Sequence, residues 1–588
     1  MSYDGLVLRA VTLELHEKLC GSRIDKIYQP TKHELIFNLR QKGASYKLLL
    51  SSLAQEARVH LVTVTAPNPS EPPLFCMVLR KHLEGGKILA VSQQDLERIL
   101  EIECEVLDEL GDKVLRKLII EIMGKHSNII LIDPLQNKII DALQRVPASL
   151  SRYRQVLPGL TYQSPPPQDK IIPWEATEKE FTRQMLELPL NLSISKALLK
   201  VSKGMSPQSI REIIYRTGLD EILPLEYCGE YELRRLWQEL SRLGTELCSG
   251  HFFPEVISTK EDGLLTFSAI PLTSFSEDQR HCFSTMNEAL DFYYLQKNKT
   301  DSLKQKKGVL APLIKKEIQR CEKKADLQQE TIDEAENSAH LRLWGELLTA
   351  NLHCLSQGTE AKVNNYYDPT GEAETIPLLP HLTVGENAQR YFARYQKSKK
   401  ASVKAKEHLL ETKRELDYLY SLLNSLDNVD STTEIEEIKE EMRQTGYLKT
   451  TAKAKKKATQ QPTQPQKLIQ DSWLIYFGKN NRQNDLLTMK MAKSSDLWFH
   501  TKDIPGSHVV IKNPNDQTIP PEIIKKAALL AAFHSQARYS VNVPVDYTKK
   551  QNVWKPQGAK PGFVLYKNQH TVSVTPDPEK IKELLSEV

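Results

Sequence analysis

Alternation of apolar and polar positions dominates the first part of the chain and predicts a series of β-strands. Two stretches, 13–20 and 71–83, carry apolar residues at helical spacing instead, and Thr12 is the predicted N-cap of the first. The alternation matches strands of two packed sheets. We therefore predict an N-terminal α+β domain over residues 1–173, a β-sandwich carrying helices. Its predicted strands are 23–28, 34–39, 46–50, 59–63, 87–93, 98–104, 114–123 and 128–133.

A proline-rich segment, 164–173, is predicted to close this domain as a stiff linker. The following region, 174–285, is predicted to be mainly helical. Within it, the helices 195–202 and 207–216 flank the turn Lys203-Gly204-Met205-Ser206. Helix–hairpin–helix units use such a turn to offer backbone N–H groups to phosphate. A plain helix–turn–helix scaffold explains the pattern equally well, so both interpretations stay open.

Apolar residues at alternating spacings of four and three follow two long helical runs within residues 286–445. The segment between them, 351–385, has no such spacing. We predict an antiparallel coiled-coil arm that carries a small tip. Dimerisation through a coiled coil is the alternative, although each seam is short and both lie within one chain. The predicted seams are Ile314, Ile318, Cys321, Ala325, Gln328, Ile332 and Ala335, and Ala405, Leu409, Thr412, Leu416, Leu419, Leu423 and Leu426.

The C-terminal part begins with a predicted flexible basic linker, 446–468, and continues as an α/β domain over residues 469–588. Residues 471–575 contain 14 Lys and Arg against 7 Asp and Glu. This excess of positive charge favours a polyanionic partner. The predicted elements of the domain are strands at 474–477, 509–511, 539–545 and 562–566 and a helix at 522–537.

One stretch of this domain, Asp496-Leu497-Trp498-Phe499-His500, combines an acid, an indole and an imidazole at alternate positions. In a strand, alternate side chains share a face, so these three are predicted to project together. Such a row suits stacking on and hydrogen bonding to a base or ribose. The alternative is a buried tryptophan whose neighbours are satisfied locally.

Several function classes are disfavoured by the sequence. The eight cysteines are scattered without a CxxC pair, which argues against a zinc ribbon or a disulfide framework and for a reducing compartment. The first residues do not resemble a signal peptide, and no run is apolar enough to cross a membrane, so we expect a soluble cytoplasmic protein without a membrane partner. Walker, GxGxxG, HExxH and GxSxG motifs are missing. We expect a binding protein.

Four separated motifs resemble the NFACT family, in the order that the family has them. They are Tyr3-Asp4-Gly5 with the segment 23–30, the segment 75–86, Asn387-Ala388-Gln389-Arg390-Tyr391-Phe392, and the segment 496–508. The resemblance covers nearly the whole chain. It implies an N-terminal domain similar to that of formamidopyrimidine-DNA glycosylases, then a helix–hairpin–helix region, a coiled-coil arm and an RNA-binding domain.

The resemblance also implies a function in ribosome-associated quality control in the cytoplasm. Family members bind a large ribosomal subunit, through rRNA and ribosomal proteins, that still carries peptidyl-tRNA on an obstructed nascent chain. They recruit tRNA, alanine-accepting in the bacterial branch, and direct mRNA-independent tailing of the chain for degradation. Because the ribosome makes the peptide bond, we expect no catalytic residue, cofactor or metal.

Carried over to this sequence, the family's tRNA-binding Asp-Arg pair falls on Glu97 and Arg98. A guanidinium beside a carboxylate suits a phosphate or a base edge. Here the acid is one methylene longer, which leaves open how tRNA is discriminated; without the resemblance, a surface ion pair is the plainer interpretation. The implied RNA-binding residues are Asp496, Trp498, His500, Lys502, Ser507 and His508, which either touch RNA or shape the surface that does.

Two alternatives belong to other classes. One is a surface adhesin that binds fibronectin, against which the lack of a signal peptide or anchor argues. The other is a glycosylase-type nucleic-acid enzyme, which would need an N-terminal proline and a zinc finger. Ser2 follows Met1 here and no paired cysteines are present, so base excision is disfavoured.

Overall fold

The structure, a computed structural model, describes residues 2–41, 43–108, 110–151, 153–259, 263–367, 373–449 and 463–586. The chain divides into two compact units, Met1–Asn298 and Lys299–Val588. They contain large antiparallel sheets and long helices, as expected of a mixed α/β multidomain protein. Most of the predicted linker, residues 450–462, lies outside the described residues. Within the described ranges, no helix has both the length and the apolar character needed to cross a membrane.

Within the described residues, nine antiparallel strands form the larger sheet of the first unit. They are β1 (Arg23–Thr31), β2 (Glu34–Gln41), β3 (Ala44–Ser51), β4 (Arg58–Leu61), β5 (Lys87–Gln93), β6 (Ile99–Leu107), β7 (Lys113–Glu121), β8 (Asn128–Asp133) and β9 (Lys138–Ala142). Their order is β4-β3-β2-β1-β5-β6-β7-β8-β9, and Arg23 pairs with Lys87 where the two halves join. The predicted division into two separate sheets is therefore corrected to one continuous sheet.

Helix α1 (Gly5–Leu19) starts well before the predicted residue 13. Its N-cap is Asp4, whose carboxylate accepts hydrogen bonds from the N–H groups of Leu6 and Val7 at 3.1 and 3.0 Å. The prediction of Thr12 as N-cap is wrong, because its hydroxyl lies inside the helix and donates to a carbonyl oxygen of the preceding turn. The helix packs against both halves of the sheet in one core that includes Leu8, Val11, Leu15, Leu39, Leu48, Leu118 and Leu131.

The rest of the first unit is mainly helical beyond the sheet. Its elements are α2 (Leu74–Leu83), α3 (Glu178–Leu186), α4 (Ile194–Val201), α5 (Pro207–Thr217), α6 (Glu230–Cys248) and the strands β10 (Glu255–Thr259), β11 (Gly263–Ser268) and β12 (Arg280–Cys282). The turn between α4 and α5 holds Gly204 at a φ of +75°, a conformation that favours glycine. The three short strands form a sheet of their own that the sequence pattern did not predict.

The arm consists of α7 (Met286–Glu336), α8 (Ala339–Ala350), the hairpin β13 (Glu360–Asn364) and β14 (Ala373–Pro377), α9 (Val384–Asn428) and α10 (Thr432–Gln444). Ile318 shares a core with Leu426, near the far end of α9. Ile332, later in α7, packs instead with Ala405, which is earlier in α9. The two long helices therefore run antiparallel along the predicted seams.

The motif of residues 387–392 makes packing contacts at the tip of the arm. The side chain of Asn387 is buried and accepts a hydrogen bond from the N–H of Leu379 at 2.9 Å. The ring of Tyr391 lies 5.3 Å from that of Trp344, edge to face. This motif therefore holds the loop before α9 and the face of α8 together.

The C-terminal domain is built on a six-stranded sheet in the order β15-β16-β18-β17-β19-β22. Its elements are β15 (Gln466–Gln470), β16 (Trp473–Phe477), α11 (Asn481–Asp485), β17 (Leu497–Thr501), β18 (Val509–Ile511), α12 (Pro521–Phe533), β19 (Val543–Lys549), β20 (Val553–Trp554), β21 (Leu565–Tyr566), β22 (His570–Val574) and α13 (Pro578–Ser586). The predicted strand at 539–545 is corrected, because Asn542 forms a turn with a φ of +54° before β19 begins. Strand β21 is much shorter than the predicted 562–566, since Gly562 lies in a turn.

Polar side chains join the base of the arm to the C-terminal domain. Asn424 and Asn428 of α9 donate to the carbonyl oxygen of His534 at 3.0 and 2.9 Å. Gln483 donates to the carboxylate of Glu434 at 3.1 Å. Further hydrogen bonds join Asn480 to Glu437, Asn481 to Glu441 and Arg482 to Gln444. Directional hydrogen bonds therefore set the orientation of the domain on the arm.

Candidate nucleic-acid interface

The pair Glu97 and Arg98 lies at the end of the tight connection from β5 to β6. Asp95 adopts a φ of +48° there, and the N–H of Glu97 donates to the carbonyl oxygen of Gln94 at 3.0 Å. The side-chain amide of Gln93 donates to the carbonyl oxygen of Glu97 at 2.8 Å and fixes the loop from inside. Both side chains of the pair are half-buried. The loop is therefore held in place by its own hydrogen bonds.

Beside the pair lies a cavity of about 250 Å³. Lys203 places its ammonium 3.1 Å from the carboxylate of Asp95 and 3.4 Å from that of Glu97. Burial lowers the pKa of Lys170, an effect that Glu97 opposes and Arg98 adds to. The cavity is lined by Asp4, Gly5, Leu96, Glu97, Arg98, Gln168, Lys170, Leu199, Lys203, Gly204, Met205, Ser206 and Pro207. Its charged groups come from four segments that are distant in sequence.

Asp4 holds two walls of this cavity together. Besides capping α1, its carboxylate accepts from the N–H of Ser206 at 3.0 Å and from the hydroxyl of Ser209 at 2.7 Å. The N–H of Gly5 donates to the carbonyl oxygen of Gly204 at 2.7 Å. A Cβ atom at Gly5 would overlap the carbonyl oxygen of Leu96, so only glycine fits this close approach. Asp4 and Gly5 of the motif Tyr3-Asp4-Gly5 thus form part of the cavity wall.

Two backbone N–H groups of the turn between α4 and α5 donate hydrogen bonds within the protein. The N–H of Lys203 donates to the carbonyl oxygen of Ile171 at 2.8 Å, and that of Ser206 donates to Asp4. These N–H groups are therefore not directed at a phosphate in this arrangement. The helix–hairpin–helix and the helix–turn–helix interpretations both stay predictions, because these bonds concern only two N–H groups of the turn. The neighbouring segment 168–171, predicted as linker, instead forms a wall of the cavity.

The structure places the second predicted site, around Trp498, inside the C-terminal domain. The indole is fully buried, and its Nε1–H donates to the hydroxyl of Thr488 at 3.2 Å. Asp496 is also buried, and its carboxylate accepts from the N–H of Asn513 and the ammonium of Lys512, both at 2.9 Å. Neither side chain is exposed to a base here, so this arrangement matches the alternative of a buried tryptophan whose neighbours are satisfied locally. Their role is to build the domain.

The two histidines of this site pack against Trp498, His508 buried and His500 half-buried. The ring of His508 lies 5.2 Å from that of Trp498, and its Nδ1 shares a hydrogen bond of 2.7 Å with Thr488. The ring of His500 stacks on Trp498 at 5.8 Å. Burial lowers the pKa of His500 to about 4 and that of His508 well below its usual range. At neutral pH these rings are uncharged and therefore do not attract phosphate.

Of the two remaining predicted residues of this site, one is buried and the other is exposed. Ser507 is buried, and its hydroxyl donates to the carbonyl oxygen of His534 at 3.5 Å. Lys502 is exposed and can reach a polyanion. The sequence pattern missed Lys170 and Lys203 at the first site, since only the fold brings them to Arg98. Among the described residues, no group of His, Cys, Asp and Glu is arranged to hold a metal ion.

Comparison with known families agrees with this layout. Residues 4–461 match the NFACT N-terminal and middle domains, and residues 468–568 match the NFACT protein RNA binding domain. The chain belongs to the NFACT family. The family's RNA-binding domain in this chain therefore includes the six-stranded sheet that contains Trp498.

Full-length relatives include two bacterial proteins described as "Rqc2 homolog RqcH". The one from Bacillus subtilis is 41% identical over 593 residues, 99% of this chain and 100% of that protein. The one from Streptococcus suis is 37% identical over 586 residues, with 99% and 100% covered. A crystal structure of the fibrinogen binding protein from Staphylococcus aureus is 31% identical, covers 50% of this chain and 99% of its own, and has a TM-score of 0.42.

Proposed function

We propose that this protein is a ribosome quality control factor that binds the obstructed large ribosomal subunit carrying peptidyl-tRNA. It recruits tRNA, alanine-accepting by analogy with the bacterial branch of the family, and directs tailing of the stalled chain without mRNA. The observation that carries the proposal is the end-to-end match to the RqcH relatives, which includes both the N-terminal and the RNA-binding domains.

The cavity beside Arg98 supports tRNA binding by the N-terminal domain. The guanidinium offers a planar fork of donors for a phosphate or base edge. Lys170 and Lys203 add positive charge, while Glu97 provides an acceptor for an exocyclic amine of a base. A mixed set of donors and acceptors of this kind suits selective contact with one nucleotide better than general attraction to a polyanion.

In this proposal the protein positions substrates and the ribosome forms the peptide bond. Of the two histidines of the family motif, His508 is buried and His500 is half-buried, and the lowered pKa of each leaves it uncharged at neutral pH. They contribute to packing, so no proton transfer is assigned to them. The protein acts as an elongation factor of the cytoplasm, without a cofactor.

Tailing by the Arg98→Ala variant tests this proposal. The change removes the guanidinium from the cavity, so we expect C-terminal tailing of a stalled reporter chain to be lost. Co-sedimentation with the large ribosomal subunit should persist, since the arm and C-terminal domain are untouched. Arg183→Ala is the matched control, because that arginine lies on the exposed surface of α3 and pairs with Glu180 of this helix and Glu187 just after it.

Sequencing of RNA that co-purifies with the wild-type protein identifies the tRNA. Enrichment of large-subunit rRNA with one tRNA family, reduced by Arg98→Ala, is the expected result. Loss of subunit binding by Arg98→Ala alone would place this residue on the ribosome instead. Enrichment of neither RNA in the wild type would reject the proposed function.

A further inference from the structure

The sheet face that carries Trp498 is covered by a second layer of chain. The hairpin of β20 and β21 supplies Val553 and Tyr566 to this cover, and residue Leu487 supplies the other side. The ring of Tyr566 lies 5.1 Å from that of Trp498, and its hydroxyl donates to Asp546 at 2.9 Å. The buried motif therefore fixes the position of the hairpin.

The outer side of the same hairpin carries large apolar side chains. Trp554 pairs with Leu565 across the two strands, so their side chains are neighbours on the side opposite Val553 and Tyr566. Trp554 is 43% exposed and Leu565 is 42% exposed, whereas Val553 is buried. Phe563, two residues before Leu565, is 41% exposed. Trp554 and Leu565 thus face outwards side by side, and a third exposed apolar residue, Phe563, precedes Leu565 in the chain.

The hairpin and the residues that flank it are rich in lysine. Residues 549–567 contain five lysines and no acidic residue. Lys555 pairs with Asp485 at 2.5 Å, and Lys560 donates to the hydroxyl of Tyr447 at 3.1 Å, so both help to fix the hairpin. Lys567, just after β21, is exposed. The stretch therefore has the composition of a surface that attracts a polyanion while offering flat rings to it.

We propose that the outer face of the β20–β21 hairpin is a stacking platform for unpaired bases of RNA, with Trp554 as its main contact. This inference rests on the proposed function, since it assigns the RNA contact of that factor to particular residues. An indole stacks on any base, which suits a single-stranded segment, whose base faces are free. Lysines beside the platform neutralise the phosphates. A basic protein partner is disfavoured, because the stretch has no acid to pair with it.

The platform gives the buried family motif a positioning role. Trp498 and Tyr566 hold the inner face of the hairpin, so they act on RNA through Trp554 and Leu565 rather than by touching it. The row of polar and aromatic residues that suggested RNA contact then lies one layer below the contact surface.

Binding of a fluorescein-labelled, unstructured single-stranded RNA to the full-length protein tests the platform. We expect Trp554→Ala to weaken binding about 5-fold to 150-fold, the range that loss of one stacked base produces. Trp554→Phe should retain most of the affinity because phenylalanine also stacks. Tyr539→Ala is the control, since Tyr539 is 86% exposed in the same domain but lies outside the hairpin. A fully paired RNA should compete less well than a single-stranded one.

Equal binding by wild-type protein and Trp554→Ala would overturn the inference, as would failure of the wild type to bind the single-stranded RNA. Sedimentation with large ribosomal subunits separates this outcome from failure of the proposed function. Wild-type protein that binds RNA but does not sediment with the subunit rejects the function and leaves the platform in place. If Trp554→Ala loses the subunit yet binds RNA normally, the platform meets a protein and the inference is wrong.

Discussion

Replacing Asp4 by alanine is expected to loosen the contact between the starts of α1 and α5, which borders the cavity. The carboxylate accepts four hydrogen bonds, from the N–H groups of Leu6 and Val7 in α1 and from Ser206 and Ser209 at the start of α5. Asp4→Ala removes all of them at once. Because the residue is buried, water does not replace the carboxylate without a rearrangement.

The magnitude follows from the groups that lose a partner. Loss of an N-cap costs about 1 kcal/mol. A buried donor left without an acceptor costs about 1 to 3 kcal/mol, which applies to the N–H of Ser206. The hydroxyl of Ser209 already lies 3.0 Å from that of Ser206 and can turn to it, so its loss is smaller. The local destabilisation is therefore about 3 kcal/mol, or roughly 100-fold in an opening equilibrium.

Hydrogen exchange of the full-length protein, read by mass spectrometry, measures this effect locally. Amides in the first turns of α1 and α5 should exchange about 100-fold faster in Asp4→Ala. Thr177→Ala is the control, since Thr177 caps α3 through one exposed hydrogen bond and should affect only that helix, by about 1 kcal/mol. Unchanged protection at the start of α5 in Asp4→Ala would refute the proposed link between the two helices.

Three further predictions concern the cavity, the buried motif and the arm. Gly5→Ala should abolish tailing but not subunit sedimentation, because its Cβ displaces Leu96 and the pair that follows; wild-type tailing would contradict this. Trp498→Ala should destabilise the C-terminal domain by about 3–5 kcal/mol in urea denaturation, whereas the exposed Trp554→Ala should not; equal midpoints would show that burial is misassigned. Burial raises the pKa of Glu441 to about 7 from 4.5, so its stabilising contribution is complete below pH 4.5 and is lost as the pH rises to about 7. The thermal midpoint should fall across that window, and Glu441→Gln should flatten the profile; an equal slope in both proteins would assign it to other groups.

Local pattern predicted those elements whose burial repeats regularly along the chain. The strands Lys87–Gln93 and Asn128–Asp133 are confirmed to the residue. The first alternates between buried and exposed positions, and the second is a short apolar run that is buried almost throughout. The arm seams were also readable, because positions such as Ile314 and Leu419 recur at heptad spacing and are buried. The start of α1 was missed, because Asp4 precedes a helix whose first residues are buried nearly all round and show little periodicity.

The sites were harder to predict, since they depend on packing between distant segments. The sequence pattern placed Arg98 beside Glu97, but the lysines at 170 and 203 reach them only when the segment 168–171 lies along α4. Alternation correctly put Trp498 on one face of a strand. It did not show that the hairpin following β19 covers this face, because β20 and β21 are two residues each.

The hydrogen bonds from Asn424 and Asn428 to His534 lie at one end of a helix of 45 residues. The tip lies at its other end, roughly 60 Å away at 1.5 Å per residue. Over that length, a tilt of about 5° at these bonds would move the tip by about 5 Å. The long arm thus amplifies small changes of angle at its base. The geometry of a few hydrogen bonds determines how precisely the tip and the RNA-binding domain are placed relative to each other.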